Sequence, residues 1–198
     1  QNLFDERLNS FGEWGVDEFL DSARKTCIVV AADHAGNKRI NEYNPYNNDR
    51  FGKGEGKAYC AFLVKTLKPY IDKQYRTQPG RSSTFIAGSS MGAHISFYAA
   101  LQYPNIFGKA GILSPAFWIN YADVETEIKK ARKRTGQHFF FYAGQMESET
   151  LAQEVIGIFN LLNRQLPGNP VMFSLKANGK HNEQSWQRIL PEFFNWLL

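Results

Sequence analysis

The chain has 198 residues, of which 43% are hydrophobic and 21% charged, and this composition predicts one globular domain with a sizeable core. Its net charge is only +4, and the basic residues are scattered apart from a run over 129–134, which argues against nucleic-acid binding. No apolar run reaches the roughly 18 residues that span a bilayer, and the two cysteines have neither metal-binding nor redox spacing.

The first quarter of the chain predicts a helix, a strand and a long loop. Apolar residues from Trp14 to Leu20 recur at helical spacing. The continuous apolar run from Cys27 to Ala32 is rich in β-branched residues, which predicts a strand covered on both faces. Residues 33–56 are rich in Asn, Gly and Tyr and are expected to form a loop. Because so long a loop in a compact domain is usually functional, we expect it to help wall a substrate pocket.

Helices and strands then alternate to the end of the chain. Helices are predicted over 57–68, 91–103, 124–134, 150–165 and 182–198, and strands over 83–87, 109–113, 138–143 and 171–176. Pro69 is expected to end or kink the first of these helices. This alternation is typical of an α/β fold with a mostly parallel sheet covered by helices on both faces, here as a single domain over 1–198.

One segment combines a strand, a sharp turn and a helix around a serine. Ser90 lies between Gly88 and Gly92 in the pattern Gly-x-Ser-x-Gly, directly after an apolar run and directly before a helical one. The two glycines leave the tight turn free of side chains next to the serine. This context is typical of a nucleophile elbow, so Ser90 is the candidate nucleophile.

A serine hydroxyl needs a neighbouring base, and the chain has four histidines. His181 lies in the loop after the last predicted strand, where the base belongs when the chain order is serine, acid, histidine. His94 lies one helical turn beyond Ser90 and is expected to pack beneath the elbow, although it is a second candidate base. His138 begins a strand and therefore lies at the amino ends of the strands, on the side of the sheet away from the expected catalytic site. His34 follows the first predicted strand and is a candidate substrate contact.

The acid must follow a strand that lies between the elbow and the histidine loop, and the strand predicted over 138–143 is the candidate. That strand is followed by Gly-Gln-Met-Glu-Ser-Glu over 144–149, so Glu147 is the candidate acid and Glu149 its competitor. The acid would hold the imidazole in the right tautomer and stabilise the imidazolium. The backbone N–H of Met91, the residue after the nucleophile, is the expected oxyanion-hole donor.

These segments resemble the Putative esterase (esterase D-like) family of α/β-hydrolases. That family includes feruloyl and acetyl-xylan esterases, siderophore trilactone esterases and S-formylglutathione hydrolases. The resemblance runs along nearly the whole chain and is most specific over 86–92, 103–111, 114–118, 144–147 and 179–181 with Trp186. It implies an α/β-hydrolase fold and ester hydrolysis through an acyl-enzyme, with no metal and no organic cofactor.

The resemblance also implies that the start of the domain is missing from this sequence. Gln1 to Asp5 looks like the end of a family segment that follows a central strand. In the family that strand lies between those corresponding to 27–32 and 83–87, and a sheet without it would bury unpaired backbone groups. We therefore expect the sequence to lack its N-terminal strands. By resemblance, the second oxyanion donor is a backbone N–H at or next to Gln1.

The leading hypothesis is a serine carboxylic-ester hydrolase acting on carbohydrate-linked feruloyl or acetyl esters, or on similar esters. Phe117 and Trp118 are candidate substrate contacts, and packing is an equal alternative for both. A siderophore trilactone esterase is an alternative that the positive charge slightly favours. A hydrolase-fold binding module that has lost activity is another. Neither nucleic acid nor membrane is expected as a partner, while the compartment and the choice between monomer and homo-oligomer are left open.

Overall fold

A parallel four-stranded sheet is the centre of the structure, a computed structural model that describes residues 3–4, 12–131 and 136–198. The strands run in the order β1 (Phe85–Ser89), β2 (Lys109–Leu113), β3 (His138–Gly144) and β4 (Val171–Lys176). Each pairs in parallel with the next along the chain. Parallel neighbours require a crossover connection, and the helices between successive strands provide it. The predicted parallel α/β sheet is confirmed.

The helices lie on both sides of this sheet. They are α1 (Val16–Ser22), α2 (Arg39–Glu42), α3 (Gly56–Phe62), α4 (Lys68–Gln74), α5 (Met91–Gln102), α6 (Tyr121–Lys130), α7 (Leu151–Gln165) and α8 (Glu183–Leu197). Residues of α5, α6 and α7 share one hydrophobic cluster with the strands, and residues of α1 and α8 share another. None of the helices within the described ranges combines the length and the apolar character that crossing a bilayer requires.

Strand β3 explains why both sides of the sheet are apolar. Phe139 and Phe141 belong to the cluster with α5, α6 and α7, whereas Phe140 and Tyr142 belong to the cluster with α1 and α8. Successive side chains of a strand point to opposite faces, so a run of four aromatic residues supplies both cores. All four are at most 1% exposed. Burial of each such side chain contributes roughly 1.5–3 kcal/mol.

The prediction of a first strand over 27–32 is wrong. These residues form no strand, and Ile28 and Val30 are 50% and 43% exposed. The physical reason lies at β1, which pairs with β2 on one side and with no described residue on the other. β-branched residues favour a strand mainly through packing and pairing with neighbours, and here the neighbouring strand is absent from the described residues.

Of the two outcomes predicted for Pro69, an end or a kink, the structure contradicts the end, because the helix continues beyond it. A π-helical turn over Leu63–Leu67 joins α3 to α4, and Pro69 lies in the first turn of α4. Proline cannot donate a backbone hydrogen bond, and its ring clashes with the carbonyl group four residues earlier. A locally wider helical turn accommodates both effects, so the helix continues to Gln74.

The predicted loop over 33–56 is interrupted by a short helical turn over Gly36–Lys38 and by α2, and the segment as a whole is fixed to the residues that follow β2. The Asn44 side-chain amide donates to the side-chain oxygen of Asn120 at 2.8 Å. The Asn48 amide donates to the carbonyl oxygen of Ile119 at 2.7 Å. Asn44 and Asn120 are both buried, so their hydrogen bond replaces bonds to water that folding removes. These contacts set the loop beside the carboxyl end of β2.

Candidate active site

Ser90 occupies a strained turn between β1 and α5. Its backbone angles are φ 55° and ψ −122°, a combination that residues other than glycine rarely adopt. Its N–H donates to the carbonyl oxygen of Leu113 at 3.0 Å, and its own carbonyl oxygen accepts from the N–H of Ala116 at 3.2 Å. The turn is therefore held against the end of β2. This backbone has the geometry of a nucleophile elbow.

Gly88 makes this turn sterically feasible. A Cβ atom at Gly88 would lie 2.6 Å from the carbonyl carbon of Gly92, which is backbone and cannot swing aside. Among the described residues, a Cβ atom at Gly92 would meet nothing within 4 Å. The sequence pattern treats the two glycines alike, but the structure requires the first much more strictly than the second.

The Glu147 carboxylate is completely buried and fully hydrogen-bonded. Its Oε1 accepts from the Ser114 hydroxyl at 2.7 Å and from the Gly144 N–H at 2.6 Å. Its Oε2 lies 2.7 Å from Nδ1 of His181. The Glu147 side chain is 0% exposed and that of His181 is 36% exposed. Burying a carboxylate is costly unless such partners surround it, so these residues form one connected polar group.

Glycines bring the acid loop into contact with the histidine loop. A Cβ atom at Gly144 would collide with the backbone of Gly179, and one at Gly179 would lie 2.7 Å from the Cα of Gly144. The N–H of Met146 donates to the carbonyl oxygen of Gly179 at 2.9 Å. The two loops therefore touch backbone to backbone, which brings Glu147 within reach of His181. Glu149 is exposed, and Glu147 rather than Glu149 binds the histidine.

The start of α8 holds the histidine loop. The Asn182 side chain caps the helix by accepting from the N–H of Ser185 at 3.0 Å. The hydroxyl of Ser185 accepts from the N–H of Lys180 at 2.9 Å. The indole ring of Trp186 lies edge-on to the His181 ring with 5.2 Å between centroids. Consecutive residues of the first helical turn thus contact both the backbone and the side chain of this loop.

The predicted nucleophile, acid and base follow different strands of the sheet. Ser90 follows β1, Glu147 follows β3 and His181 follows β4, so all three lie at the carboxyl ends of parallel strands, where ligands bind in such sheets. The structure brings Glu147 and His181 into contact. No hydrogen bond joins Ser90 Oγ to His181 within the described ranges. In apo enzymes such a contact often tightens only when substrate binds.

Two further expectations concern the oxyanion hole. Met91 is the first residue of α5, where backbone N–H groups have no partner within the helix and attract negative charge. Gln1, the expected second donor, lies outside the described residues.

The three predicted substrate contacts lie in different environments. Phe117 is completely buried and packs against Phe97 with 5.3 Å between ring centroids, which favours core packing, the equal alternative in the sequence analysis, over a substrate contact. Its short helical turn directs it into the core, which the neighbouring sequence does not reveal. Trp118 is 52% exposed and is available to a ligand. His34 is exposed and its ring lies edge-on to Tyr43 at 6.3 Å, on the long loop.

His94 is packed beneath the elbow, as predicted. It is 1% exposed, and its backbone N–H donates to the Ser90 carbonyl oxygen at 3.0 Å. Its imidazole ring lies near the rings of Tyr46 and Phe117. Neither of its ring nitrogens has a hydrogen-bond partner within the described part of the chain. A base for Ser90 has to reach the hydroxyl, and this imidazole is instead enclosed by aromatic rings.

Burial of His94 makes stability depend on pH. Burial lowers the pKa of His94 from 6.5 to about 4. The unfolded chain takes up this proton below about pH 6.5 and the folded chain only near pH 4, so stability is full above 6.5 and falls toward pH 4. The loss amounts to about 3 kcal/mol at roughly 1.36 kcal/mol per pH unit.

We expect His94→Leu to flatten the decline in the free energy of unfolding between pH 6.5 and 4, as measured by urea denaturation at several pH values. Substitution of the exposed His34 by Gln is the control and should keep the wild-type slope. An unchanged slope in His94→Leu would contradict the assignment.

Ser114 is a site residue that the sequence reasoning did not single out. It directly follows β2 at the same edge of the sheet, and its hydroxyl binds Glu147. Two signals were available: its position, as a polar residue immediately after a buried strand, and its place in the segment 114–118, where the family resemblance is specific. The described residues contain no cluster of three or more His, Cys, Asp or Glu that could hold a metal ion.

A family model described as Putative esterase matches residues 8–197. The chain belongs to this family. The protein YbbA of Bacillus subtilis (strain 168), which carries the description "uncharacterized", is 30% identical over 107 residues, equal to 51% of this chain and 43% of YbbA. The chain thus spans less than half the length of the curated relatives that it matches.

Solved structures of esterases share the fold of this chain. A ferulic acid esterase is 18% identical with a TM-score of 0.60, over 70% of this chain and 60% of that one. The enterobactin esterase FES from Shigella flexneri, in the presence of 2,3-Di-hydroxy-N-benzoyl-glycine, is 16% identical with a TM-score of 0.65, over 91% of this chain and 49% of that one. At such identities the similarity establishes the fold, which is that of the α/β-hydrolases.

Proposed function

We propose that this member of the family is a serine carboxylic-ester hydrolase with Ser90 as nucleophile, His181 as base and Glu147 as acid. The observation that carries the proposal is the 2.7 Å contact between His181 Nδ1 and a fully buried Glu147 oxygen. It lies at the sheet edge that also carries the strained elbow of Ser90. A nucleophile, a base and an orienting acid are the three groups that acyl transfer needs.

The hydrogen bonds of Glu147 define the tautomer of His181. An ionised carboxylate only accepts hydrogen bonds, so Nδ1 of His181 carries the proton that Oε2 accepts. Nε2 is then unprotonated and is free to take the proton of Ser90. The buried negative charge stabilises the imidazolium that this transfer creates.

The reaction proceeds through an acyl-enzyme. Ser90 Oγ attacks the ester carbonyl carbon while His181 Nε2 takes the hydroxyl proton, and the Met91 N–H donates to the developing oxyanion. His181 then returns the proton to the leaving alcohol as the carbon–oxygen bond breaks. Water enters and attacks the acyl-enzyme carbonyl carbon while His181 takes its proton. His181 then returns the proton to Ser90 Oγ as the bond between the acyl carbon and Oγ breaks, which releases the carboxylic acid and restores both residues.

For the substrate we propose an ester that carries a ring, such as a feruloyl or acetyl ester on a carbohydrate. Trp118 supports this proposal, because it is 52% exposed and lies two residues beyond Ala116, whose N–H binds the Ser90 carbonyl oxygen. Phe51 of the long loop lies edge-on to it, with 6.0 Å between centroids. Exposed aromatic side chains offer stacking surface to sugars and aromatic acids.

A siderophore trilactone is the second candidate substrate. The Arg50 guanidinium lies 5.1 Å from the centroid of Phe51 and adds a positive charge beside the same aromatic pair. That charge favours an electron-rich catecholate ring. The similarity in fold to the enterobactin esterase FES supports the same candidate. Turnover measured on a feruloyl sugar, an acetylated sugar and a catecholate trilactone would separate the two substrate classes.

Labelling of Ser90 by a fluorophosphonate probe tests the proposed activity. We expect the native protein in its full length to be labelled at Ser90, as located by peptide mass spectrometry, and to hydrolyse short p-nitrophenyl esters. Ser90→Ala should lose the label, and its kcat should fall roughly 10⁶-fold because the covalent path is removed. The adjacent Ser89→Ala is the matched control and should keep both. An unlabelled, inactive native protein would instead indicate a binding module.

A further inference from the structure

A buried hydrogen-bond chain leads from α8 to the Glu147 carboxylate through Ser114. The Ser114 side chain is completely buried, and Trp186 is 5% exposed. The Trp186 indole nitrogen lies 2.9 Å from Ser114 Oγ, and Ser114 Oγ lies 2.7 Å from Glu147 Oε1. Both distances are those of well-formed hydrogen bonds.

The direction of these two hydrogen bonds follows from the chemistry of the groups that make them. An indole N–H can only donate, so Ser114 Oγ accepts from Trp186. The single hydroxyl proton of Ser114 is then directed to Glu147, whose Oε1 also accepts from the Gly144 N–H. Two donors therefore fix Oε1, and Oε2 is left facing His181. Hydrogen bonds to an ionised acceptor are about twice as strong as neutral ones.

Ser114 has an unfavourable backbone conformation. Its φ of 47° lies in the left-handed region that residues other than glycine rarely occupy. Its N–H nevertheless donates to the carbonyl oxygen of Tyr142 at 2.9 Å, which fixes it beyond the end of β2. Strained residues of this kind persist where the surrounding structure holds them, and they cluster at functional sites.

We propose that Ser114 is a positioning residue for the acid. Its hydroxyl sets the rotation of the Glu147 carboxylate so that Oε2 meets Nδ1 of His181. Trp186 orients the Ser114 hydroxyl and also contacts the His181 ring at 5.2 Å. This inference rests on the proposed function, because it gives Ser114 a role in a reaction that Glu147 and His181 carry out.

Removing the hydroxyl changes two buried groups at once. Oε1 of Glu147 would keep only the Gly144 N–H, so the carboxylate could rotate away from His181. The indole N–H of Trp186 would lose its acceptor inside the protein. We expect Ser114→Ala to lower kcat roughly ten- to a hundredfold, about 1.4–2.7 kcal/mol at 1.36 kcal/mol per tenfold change. KM should change little, since Ser114 is buried away from substrate.

Three variants of the full chain separate positioning from folding. Ser114→Gly also removes the hydroxyl but relieves the positive φ, so it should lose as much kcat as Ser114→Ala while having an equal or higher Tm. Trp186→Phe removes the donor that orients the Ser114 hydroxyl but leaves the hydroxyl in place, so it should lower kcat less than Ser114→Ala does. Ser174→Ala, at a buried serine on β4, is the control and should keep the wild-type kcat.

Proton NMR adds a readout that does not depend on turnover. The low-field resonance of the His181 Nδ1–H proton, assigned by its loss in His181→Gln, should disappear or move upfield in Ser114→Ala and stay in Ser174→Ala. An unchanged resonance and wild-type kcat in both Ser114 variants would overturn the proposal. A different outcome is a native protein that neither hydrolyses esters nor is labelled at Ser90, although Ser114→Ala still shifts the His181 Nδ1–H resonance. That outcome would support the positioning role of Ser114 and refute the esterase activity.

Discussion

Replacement of His181 by alanine is expected to lower kcat by a factor of about 10⁶, to the level of Ser90→Ala, because nucleophile and base act as a unit. Glu147→Ala should cost about a hundredfold less, near 10⁴, since the imidazole can still accept a proton when it is poorly oriented. Steady-state kinetics on a p-nitrophenyl ester would measure both. The ranking follows from the geometry, in which Glu147 binds Nδ1 of His181 and not Nε2, the nitrogen that takes the proton of Ser90.

Glu149→Ala is the matched control for the acid. It removes a carboxylate from the same loop, but Glu149 is exposed and Glu147 is the residue that binds His181. We expect its kcat to stay within a few-fold of the wild type. The assignment of the acid fails if Glu149→Ala loses activity while Glu147→Ala retains it.

Gly88→Ala is expected to damage both stability and activity. Its Cβ atom would lie 2.6 Å from the carbonyl carbon of Gly92 and 3.0 Å from its Cα, so α5 or β1 would have to move. Overpacking of this kind costs about 1–3 kcal/mol, which lowers the Tm by roughly 2–4 °C per kcal/mol in a domain of this size. A shift of about 1 Å at Ser90 can cost a further factor of about 100 in rate.

Gly92→Ala provides the comparison for Gly88→Ala. A Cβ atom at Gly92 meets no atom of the described part of the chain within 4 Å, and alanine is favoured over glycine in a helix by roughly 0.5–1 kcal/mol. Differential scanning calorimetry should therefore show an equal or higher Tm for Gly92→Ala and a lower one for Gly88→Ala. Equal damage by the two substitutions would mean that the close approach at Gly88 is not the cause.

The sequence predicted most elements after residue 83 well because their signals are local, although α6 begins three residues and ends four residues before its predicted bounds. Strand β2, for example, begins and ends at Lys109 and Leu113 as predicted, and α5 differs from its prediction by a single residue. The segment 27–32 has an equally strong apolar pattern and forms no strand. A helix bonds to itself, whereas a strand requires a neighbour, so composition alone cannot decide the second case.

The candidate site was likewise predictable only where its signals are local or follow from the order of residues along the chain. Chain order predicted that an acid and a histidine would meet at the carboxyl edge, and Glu147 and His181 do lie in contact there. The link from Trp186 through Ser114 joins residues 72 positions apart and depends on how α8 packs, so no local pattern could reveal it. Phe117 and Trp118 are neighbours in sequence, yet only the second reaches the surface.

The backbone contact between Gly144 and Gly179 has a consequence for folding order. It can form only after β4 has joined β3, and the contacts of Trp186 can form only after α8 has docked. Parallel pairing between distant segments pays its loop-closure entropy before it gains contacts, so it is slow to form. The contact between acid and base therefore depends on the docking of both β4 and α8, and it is lost whenever either of them detaches from the sheet.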